Sequence, residues 1–361
     1  MRSMHPFRAA ALVAMASALV VAAPAAAKSH THVVHKGQSI QAAINAAKAG
    51  DTIKVDKGTY TENLDISKNG IKLQGSNVTL TKPATALPNV CTQLNDSGKT
   101  VGICVHGNVT TSTTGPPTAT TSVSKVKISG FTVKAFDGDG VFIFGGSKVT
   151  LSDSRLLSNG GYGTFANTSS GTHFLRDTSR NNGDAGFYIG DSPKANAVVR
   201  NSISRGNHGP GVFMRDAVTG LVENNTLTGN CAGAFVLADA PGPAGKWKIR
   251  SNKVTNNNNA CPGDPTSGQA AISGLGIALS GATDTLVQGN TVTGNTDAHP
   301  SVATGGIVIR KGLGGTAPTG DTVKGNTLKK NKPFDIDWDG SGSVLFKNNT
   351  CTASKPSGLC H

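Results

Sequence analysis

The sequence predicts an all-β fold, a right-handed parallel β-helix with a short capping helix at its N-terminal end. Short strand-like segments recur every 23 to 24 residues over much of the chain, and glycine and asparagine separate them. A helical pattern marks only one short stretch, near residue 40. With 46 glycines but only 15% charged residues among 361, the composition fits neither a coiled coil nor, without a Gly-X-Y period, a collagen-like fibre.

Residues 1–27 have the pattern of a secretory signal peptide. Arg2 and Arg8 precede an apolar run, residues 9–23, and the small residues Ala25–Ala27 follow it. The run is shorter than the ~20 residues that span a bilayer. Its removal takes away two arginines and no acid, which lowers the net charge from +13 to +11. We therefore expect a secreted, monomeric protein without a transmembrane segment, in which residues 28–36 form a flexible N-terminal segment.

A short amphipathic helix is predicted after Ser39. Its apolar stripe has the i, i+3, i+4, i+7 spacing and ends at Gly50; the stripe consists of Ile40, Ala43, Ile44 and Ala47. Because the first coil of a solenoid lacks a neighbour on one side, we expect this helix to cap that end. Strand-like segments follow at Thr52–Val55, Leu64–Ile66, Ile71–Leu73 and Val78–Leu80.

One β-type position recurs along the chain. Its members are Val133, Leu156, Ser179, Ile203, Leu227, Val254, Val292, Leu328 and Cys351, which lie 23, 23, 24, 24, 27, 38, 36 and 23 residues apart. A second column holds asparagines: Asn159, Asn182, Asn207, Asn230, Asn257, Asn295 and Asn331. Asparagine tolerates the left-handed backbone of a tight turn, and its amide can bond its counterpart in the next coil. Repeats of this length, without leucine-rich frames, favour a parallel β-helix over a leucine-rich repeat.

Glycine-led apolar strands close most of the repeats. They begin at Gly140, Gly186, Gly211, Gly276 and Gly306. The longer repeats predict loops that leave the coil near residues 261–275, 296–304 and 311–321, and a threonine-rich loop is expected at 110–122. Residues 37–361 are thus predicted to form a single β-helix domain.

The six cysteines are expected to form three disulfides in an oxidising compartment. Fifteen pairings are open from sequence alone. The simplest set joins sequence neighbours, namely Cys91 with Cys104, Cys231 with Cys261, and Cys351 with Cys360. No Cys-x-x-Cys spacing occurs, which argues against a zinc ribbon or a thioredoxin-like site.

The segments Gly50-Asp51-Thr52-Ile53 and Gly58-Thr59-Tyr60-Thr61-Glu62 resemble the opening of secreted right-handed parallel β-helix proteins, a group that includes pectate-lyase-like and NosD-like repeat proteins. The resemblance implies the fold but no single activity, because this scaffold hosts lyases, hydrolases, esterases, epimerases and non-enzymes. The Arg-x-Pro-x-x-Arg motif of pectate lyases is absent. Of the polygalacturonase motifs, only the tripeptide Asn295-Thr296-Asp297 occurs. Whether the protein is an enzyme stays open.

Aromatic residues predict a ligand-binding strip on the closing strands. If Val141, Phe187, Val212 and Ile277 point inward, the next residues of successive coils point outward together: Phe142, Phe165, Tyr188 and Phe213. Coils stack ~4.8 Å apart, so the strip would be roughly 15 Å long. Arg215 and Arg310 share the column two residues further along, and the acids Asp191, Asp216 and Asp239 follow one residue later. Aromatic faces beside such charges suit a sugar.

The charged columns allow more than one chemistry. In a polysaccharide lyase, Arg215 or Arg310 would be the base; in a glycoside hydrolase, two of the three acids would act as acid and base. The carboxylates could also bind Ca²⁺. The alternative is structural: the acids cap turns, the aromatic strip lies under an insertion, and Arg215 balances the charge of Asp216.

Histidines offer further candidates. His30, His32 and His35 form a cluster that could bind Cu²⁺ or Zn²⁺, as a NosD-like metal-delivery protein would require, although an incidental terminal tail is the favoured explanation. His208, beside Asn207 on a predicted turn, could bind substrate near the strip. Calcium could also be held by Asp137 and Asp139, or by Asp335, Asp337 and Asp339.

The sequence therefore predicts a secreted β-helix that binds an extracellular, anionic polysaccharide along the aromatic and Asp/Arg face, with cleavage left open. The positive charge favours a polyanionic partner. Basic residues are dispersed along the chain and no nucleic-acid-binding motif occurs, so nucleic acid is not expected as a partner. The alternatives are a non-catalytic cell-surface or wall-binding solenoid and a metal-delivery protein.

Overall fold

The computed structural model describes residues 29–94, 98–110, 117–239, 243–263 and 270–361. The predicted signal peptide lies outside these ranges. Two helices are described, α1 at Ile40–Ala46 and α2 at Val90–Leu94. Nearly all other regular structure consists of short parallel strands that pair with the coil before and the coil after, which is the predicted right-handed parallel β-helix.

One side of the coil is a sheet to which each coil gives a single strand, called here the aromatic sheet. Its strands are Leu64–Ile66, Ile103–His106, Val141–Phe144, Thr164–Asn167, Phe187–Ser192, the first part of Val212–Glu223, Ala232–Leu237, Leu275–Ser280, Gly305–Arg310, Ile336–Trp338 and Ser354–Lys355. The inward residues Val141, Phe187, Val212 and Ile277 are fully buried, as predicted.

The remaining wall is called here the double sheet, because most coils contribute two strands to it. Its strands are Thr31–Val34, Thr52–Val55, Gly58–Thr61, Lys72–Thr81, Lys127–Lys134, Thr150–Ser152, Arg155–Leu157, His173–Leu175, Thr178–Arg180, Ala197–Arg200, Ile203–Arg205, the second part of Val212–Glu223, Thr226–Thr228, Gly245–Arg250, Lys253–Thr255, Leu286–Gln288, Thr291–Thr293, Thr319–Lys324, Thr327–Lys329 and Ser343–Lys347. Between the two strands of a coil, a residue with positive φ turns the chain, such as Asn224 at 55° and Asn348 at 51°. Asparagine suits this backbone, but the turn residues are not the predicted asparagine column, none of whose members has a positive φ.

Two internal ladders of asparagine hold successive coils together. In the predicted column, Nδ2 of Asn207 donates to Oδ1 of Asn230 at 3.0 Å, and Asn230 repeats the bond to Asn257. A second column continues in the same way through Asn225, Asn252, Asn290, Asn326 and Asn349. Each buried amide also donates to a carbonyl of the coil below, so the ladders satisfy polar groups that the core would otherwise leave unpaired.

The repeat alignment slips by one residue in a single coil. The sequence analysis places Ile203 in the recurrent core position, but Ser204 pairs with both Ser179 and Leu227. Ile203 instead points outward and is 44% exposed. The cause is Asn201, which occupies the turn position at a φ of 54°. Ser202, not Asn201, therefore takes the ladder position and accepts a bond from the backbone of Asp177.

Both ends of the solenoid are covered. The side chain of Ser39 caps α1 by accepting from the N–H of Ala42, and Ile40 and Ile44 of the helix join the main core. Residues 31–34, predicted as part of a flexible segment, instead form a strand that pairs with Thr52–Val55. Their side chains alternate between the two faces of the strand, so this strand adds to the sheet at the first coil. At the other end, Leu359 packs against the core.

The predicted loops and disulfides fit this frame. Cys91–Cys104, Cys231–Cys261 and Cys351–Cys360 are bonded. Near the 110–122 loop, Asn108–Thr110 and Thr118–Thr121 form an antiparallel hairpin whose tip is outside the described residues; Val123–Ser124 and Gly146–Ser147 add a small parallel pair. The 311–321 loop ends earlier than predicted, since Thr319–Lys324 is already a strand. Among the described residues, neither helix has the length and apolarity to cross a membrane.

Candidate functional site

The predicted aromatic residues lie in one column of the aromatic sheet. Strand pairing aligns Phe142 with Phe165, Phe165 with Tyr188, and Tyr188 with Phe213. The first three rings are stacked, with centroids 4.8 and 4.5 Å apart, whereas Phe213 meets Tyr188 edge-on at 5.4 Å. Phe235, which the sequence analysis missed, extends the column by one coil at 5.3 Å from Phe213. This column is called here the aromatic ladder.

One end of the aromatic ladder is closed. Cys104 occupies the ladder position below Phe142, and its disulfide to Cys91 holds α2 over the sheet. Phe142 and Phe144 are each 3% exposed and pack in a separate apolar cluster with residues of α2 and the 108–121 hairpin. Phe142 was predicted to contact substrate directly. Phe142 does line the cleft, but only its 3% exposed fraction is open to a ligand, because the disulfide places α2 above it.

The other end of the aromatic ladder is closed by the inserted loops. Phe235 packs with Leu275 and Val308 in a further apolar cluster, which Phe213, Ile272 and Ala303 border. Ile272 and Ala303 belong to the predicted 261–275 and 296–304 loops. The two lids leave the middle of the aromatic ladder uncovered, where Phe165 and Phe213 are half-buried and Tyr188 between them is 2% exposed.

A cleft of about 360 Å³ lies over this middle part. Phe165 and Tyr188 form its floor, and Tyr162 leans over both, with ring centroids 4.9 and 5.1 Å away. Arg215 and Asp191 line one rim, and Lys99 and Asp139 also line the cleft. The predicted Phe213, Asp216 and Asp239 do not line the cleft; they lie beyond the Arg215 rim. A pocket with an aromatic floor and charged rims suits a sugar chain.

Tyr188 shows how the floor is built. Its ring lies along its own strand above Gly190, where any β-carbon would come within 2.2 Å of the Tyr188 hydroxyl oxygen. Glycine at position 190 is therefore required for the ring to lie flat. Burial raises the pKa of Tyr188 strongly, and its hydroxyl also interacts with Arg215. Tyr188 is 2% exposed, so it offers a ligand a ring edge and little more.

Arg215 forms an ion pair with one of the acids that lie beyond the rim. Its Nε donates to Oδ2 of Asp239 at 2.9 Å, and an Nη of the same guanidinium also bonds that oxygen. Asp239 lies one residue outside the predicted column of Asp191 and Asp216, because Leu237 pairs with Arg215; the backbone N–H of Asp239 donates to Oδ1 of Asp216 at 2.8 Å. Asp191 is exposed and accepts from Asn167. Burial raises the pKa of Asp216 to about 6, and the charges of Asp239 and Asp191 add to this effect.

The paired guanidinium of Arg215 argues against its predicted role as a base. Burial lowers its pKa, but the neighbouring Tyr188 and Asp239 outweigh this and raise it above the usual value. A base must release its proton near neutral pH. The residue that the sequence placed as a catalytic base is thus a fixed positive charge at the rim, suited to bind a carboxylate.

Asp139 is the acid buried in the cleft wall. Its Oδ1 accepts from the backbone N–H of Tyr162 at 2.7 Å, and the residue is 3% exposed. Burial raises its pKa to about 7, with a further contribution from the charge of Asp184. Burial likewise raises the pKa of Asp184, although a bond from Tyr162 opposes this. The cleft therefore holds a carboxylic acid that is half-protonated near neutral pH.

The sequence matches one family model, described as the right handed beta helix region, over residues 43–240 and 195–360. These two matches span most of the chain. The protein belongs to the right-handed β-helix family. No curated protein sequence matches it significantly.

Solved structures of other right-handed β-helix proteins are similar in fold. The A-module of a mannuronan C-5 epimerase from Azotobacter vinelandii is 18% identical, with a TM-score of 0.57, over 86% of this chain and 90% of that one. An alginate lyase from Paenibacillus sp. str. FPU-7 is 13% identical, with a TM-score of 0.55, over 90% and 99%. An endo-xylogalacturonan hydrolase from Aspergillus tubingensis is 12% identical, with a TM-score of 0.58, over 90% and 93%. At these identities the likeness concerns the fold alone.

Two predicted binding residues of this right-handed β-helix lie away from the cleft. Arg310 shares the outward column of Arg215 through Leu237 and Ser280, as predicted, but several coils separate the two arginines. Arg310 bonds Asp337, which fixes it at the C-terminal end. His208 is an exposed turn residue, and its carbonyl oxygen contacts Sγ of Cys261. Neither residue lines the cleft.

The predicted metal histidines do not converge. His30 and His32 both approach the carboxylate of Asp51, at 3.9 and 3.0 Å, whereas His35 bonds Asp56 at 2.8 Å, so the three histidines do not form one group. The tripeptide at Asn295 is also structural, since Asn295 is a rung of the asparagine ladder. Among the described residues, the one close group of potential metal ligands is Asp65, Cys104 and His106. The disulfide removes Cys104 from it. The predicted calcium acids do not form such a group.

Tyr162, Asp184 and Lys99 are functional candidates that the sequence analysis missed. Tyr162 precedes Phe165 by three residues, as Asp139 precedes Phe142, so both belong to the turn that enters the strand. The backbone bond from Gly140 to the carbonyl of Tyr162 places them on adjacent coils. This shared offset of three residues could have indicated from the sequence that Tyr162 and Asp139 lie near the aromatic ladder. Lys99 gave none, because it comes from a loop outside the repeats.

Proposed function

We propose that the protein is secreted, binds an acidic polysaccharide in the cleft and cleaves it. The main support for this proposal is the cleft itself, in which an aromatic floor lies between the fixed cation Arg215 and the buried acid Asp139. The edges of the stacked rings offer a sugar apolar contact, and a guanidinium binds a uronate carboxylate. Three disulfides support an extracellular location. The structurally similar alginate lyase and xylogalacturonan hydrolase act on glycans, which agrees with this proposal.

Asp139 is proposed as the proton donor. Both elimination and hydrolysis require a proton on the departing glycosidic oxygen, and a carboxyl with a pKa of about 7 can supply it near neutral pH. The same residue therefore serves either route. Asp216, with a pKa of about 6, is the chemically comparable alternative from the sequence, but it lies outside the cleft wall.

The test is a panel of charged and neutral polysaccharides, incubated with the protein and read for ultraviolet absorbance and for new reducing ends. Elimination produces both an unsaturated uronate and a reducing end, whereas hydrolysis produces the reducing end alone. Asp139→Asn should lower the rate at least about 100-fold, in the range of general acid catalysis. Asp284→Asn, an exposed aspartate at a left-handed turn that asparagine tolerates, is the matched control.

Three results would contradict parts of this proposal. Retention of an acidic polysaccharide without either product would establish a non-catalytic binding solenoid. Full activity in Asp139→Asn, with activity lost in Asp216→Asn, would move the chemistry beyond the rim. Activity on neutral glycans alone would show that Arg215 does not bind a substrate carboxylate.

A further inference from the structure

The positive charge of the protein is concentrated on the double sheet. Basic residues that are dispersed in sequence are brought into register there by the coiling. The paired outward positions hold fourteen of them: Lys54, Lys72, Lys127, Lys134, Arg155, Arg180, Arg200, Arg205, Lys248, Arg250, Lys253, Lys324, Lys329 and Lys347. Every one is exposed or half-buried.

Acidic residues are nearly absent from the same positions. Glu223 is the single acid at a paired outward position of the double sheet, and it is bridged by Arg200 on one coil and Arg250 on the next. The surface thus carries a charge of +13, fourteen cations against one anion, whereas residues 28–361 together carry +11. The rest of the molecule is slightly negative. A field of one sign over a whole face attracts polyanions and raises their association rate.

One column shows how the charges are spaced. Strand pairing runs from Arg200 through Glu223, Arg250, Gln288 and Lys324 to Lys347. Coils are ~4.8 Å apart, so a chain lying along the solenoid axis would meet a cation every one or two coils. An open groove of about 380 Å³ lies beside this column, lined by Arg250, Ser251, Gln288, Gly289 and the ion-paired Glu223.

The neighbouring columns favour a glycan over a nucleic acid. From Thr178 one outward column runs through Ile203, Thr226, Lys253 and Thr291 to Thr327, and the next column holds Thr228, Thr255 and Thr293. The threonine hydroxyls can bond the hydroxyls of a sugar. None of the outward positions of the double sheet holds Phe, Tyr or Trp, so bases would find no stacking platform.

We propose that the double sheet is a second binding surface, separate from the cleft, which holds a linear polyanionic polysaccharide along the solenoid axis through its carboxylate or sulfate groups. The proposal does not depend on the cleft being catalytic. It assigns to the scattered lysines and arginines the role of a track for an extended anionic chain.

The experiment measures binding of the full chain to immobilised polygalacturonate and dextran sulfate, with dextran as the neutral probe, over a range of salt concentrations. The triple variant K253Q/K324Q/K347Q leaves the Glu223 ion pairs intact. It should bind both charged probes at least about tenfold more weakly at low salt, and its slope of log affinity against log salt should fall by about 2, since each phosphate-like contact contributes roughly 0.7–0.9. K194Q/K311Q/K355Q removes the same charge from exposed residues that lie in or just after strands of the aromatic sheet, and it should change affinity less than about twofold.

Several outcomes would overturn the proposal. Equal weakening in the two triple variants would mean that net charge alone governs binding. Loss of binding in Arg215→Ala would place the polymer in the cleft, while the proposed cleft function would stand. Equal affinity for a single-stranded oligonucleotide of the same charge would remove the assignment to a glycan. Retention on dextran, which is neutral, would show that binding to this surface is not electrostatic.

Discussion

Asp177 lies in a buried ladder column where a charge is unfavourable. Its Oδ1 accepts from the N–H of Ser154 at 2.9 Å, whereas its Oδ2 has no partner among the described residues. Burial raises its pKa to about 8. In the same column Asn225 donates from Nδ2 to the carbonyl of Val199, and an asparagine at 177 would have the carbonyl of Leu151 in the equivalent place. Asparagine would therefore complete the bonding that aspartate leaves open.

We predict that Asp177→Asn stabilises the protein most at high pH. A folded pKa above the unfolded value means that the stabilising contribution is complete below pH 3.8 and is lost as pH rises through about 8. The asparagine of the variant does not ionise, so the variant does not lose this stability. Its free energy of unfolding should therefore exceed that of the unmodified protein by an amount that grows between pH 5 and pH 9 to about 1–3 kcal/mol. Thermal unfolding of both proteins across that range measures it. An advantage that does not change with pH would contradict the assignment of the shift to Asp177.

The cleft should bind acidic glycans more weakly as pH rises through 7. Asp139 loses its proton near this pH, and Asp184, whose pKa is also raised, adds negative charge beside it. A uronate then meets a like charge in the cleft wall. Titration of a short uronate oligomer at pH 5.5 and pH 8 should give roughly tenfold weaker binding at the higher pH. Asp139→Asn should reduce this difference, and an unchanged difference would move the titrating group elsewhere.

The environment of single residues could be predicted from the sequence only in part. Alternation along the strands was sufficient to align Phe165 with Tyr188, because the pleat has a period of two. It could not give the burial of Phe142, since that depends on a helix brought in by a disulfide. The slip at Ile203 has a similar origin: Asn201 and Asn225 are both asparagine, yet the first occupies the turn and the second the ladder.

The asparagine ladders are elements whose strength depends on continuity. Asn252 accepts from Asn225 through its Oδ1 and donates from Nδ2 to Asn290 and to the carbonyl of Val222. Asn349, at the end of the same ladder, accepts from Asn326 and donates to the carbonyl of Val323. A rung in the middle therefore connects three coils.

Removing a middle rung should cost more than removing a terminal one. We expect Asn252→Ala to lower the free energy of unfolding by about 3–5 kcal/mol, because several buried groups lose their partners at once. Asn349→Ala, with no rung beyond it, should cost about half as much. Chemical denaturation of the two variants gives the comparison. Equal losses would mean that the rungs act independently.

The helix α2 should detach from the aromatic sheet when its disulfide is removed. Cys91 and Cys104 are 13 residues apart, a spacing for which the cross-link contributes about 3 kcal/mol. The double variant C91S/C104S should lose about that much stability and bind an apolar dye, since Phe142 and Phe144 lose their cover. C351S/C360S, at the C-terminal end, is the control for loss of a disulfide away from the cleft. Dye binding equal to that of this control would show that α2 stays in place.

At the level of elements, the repeats were predictable and the additions to them were not. Strands such as Thr52–Val55 and Leu64–Ile66 have the predicted bounds, because period and turn residues define them locally. The loop before Cys104 gave no periodic signal, yet it supplies α2 and Lys99 to the cleft. Contacts between a loop and a distant coil leave no pattern in the sequence.

For the whole molecule, we expect the covered ends to keep the solenoid from stacking on a second copy. Ile44 of α1 is 2% exposed and belongs to the core that the first coil would otherwise open to water. We predict that Ile44→Asp lowers stability by about 3–5 kcal/mol and causes concentration-dependent association through the uncovered strand edges. Light scattering over a hundredfold range of concentration measures the association. A destabilised variant that stays monomeric would mean that the first strands alone protect the end.

The spacing of the coils also governs how the cleft could change over evolutionary time. Phe165 and Tyr188 are contributed by consecutive turns of the chain, 23 residues apart, and each turn touches mainly its two neighbours. An in-frame deletion of one such unit would shorten the ligand platform by a single step of ~4.8 Å while leaving both lids and the remaining hydrogen bonding intact. A duplication would lengthen it by the same step. Under the function proposed above, gene slippage would therefore alter the number of sugar units engaged in whole increments, without redesign of the remaining contacts.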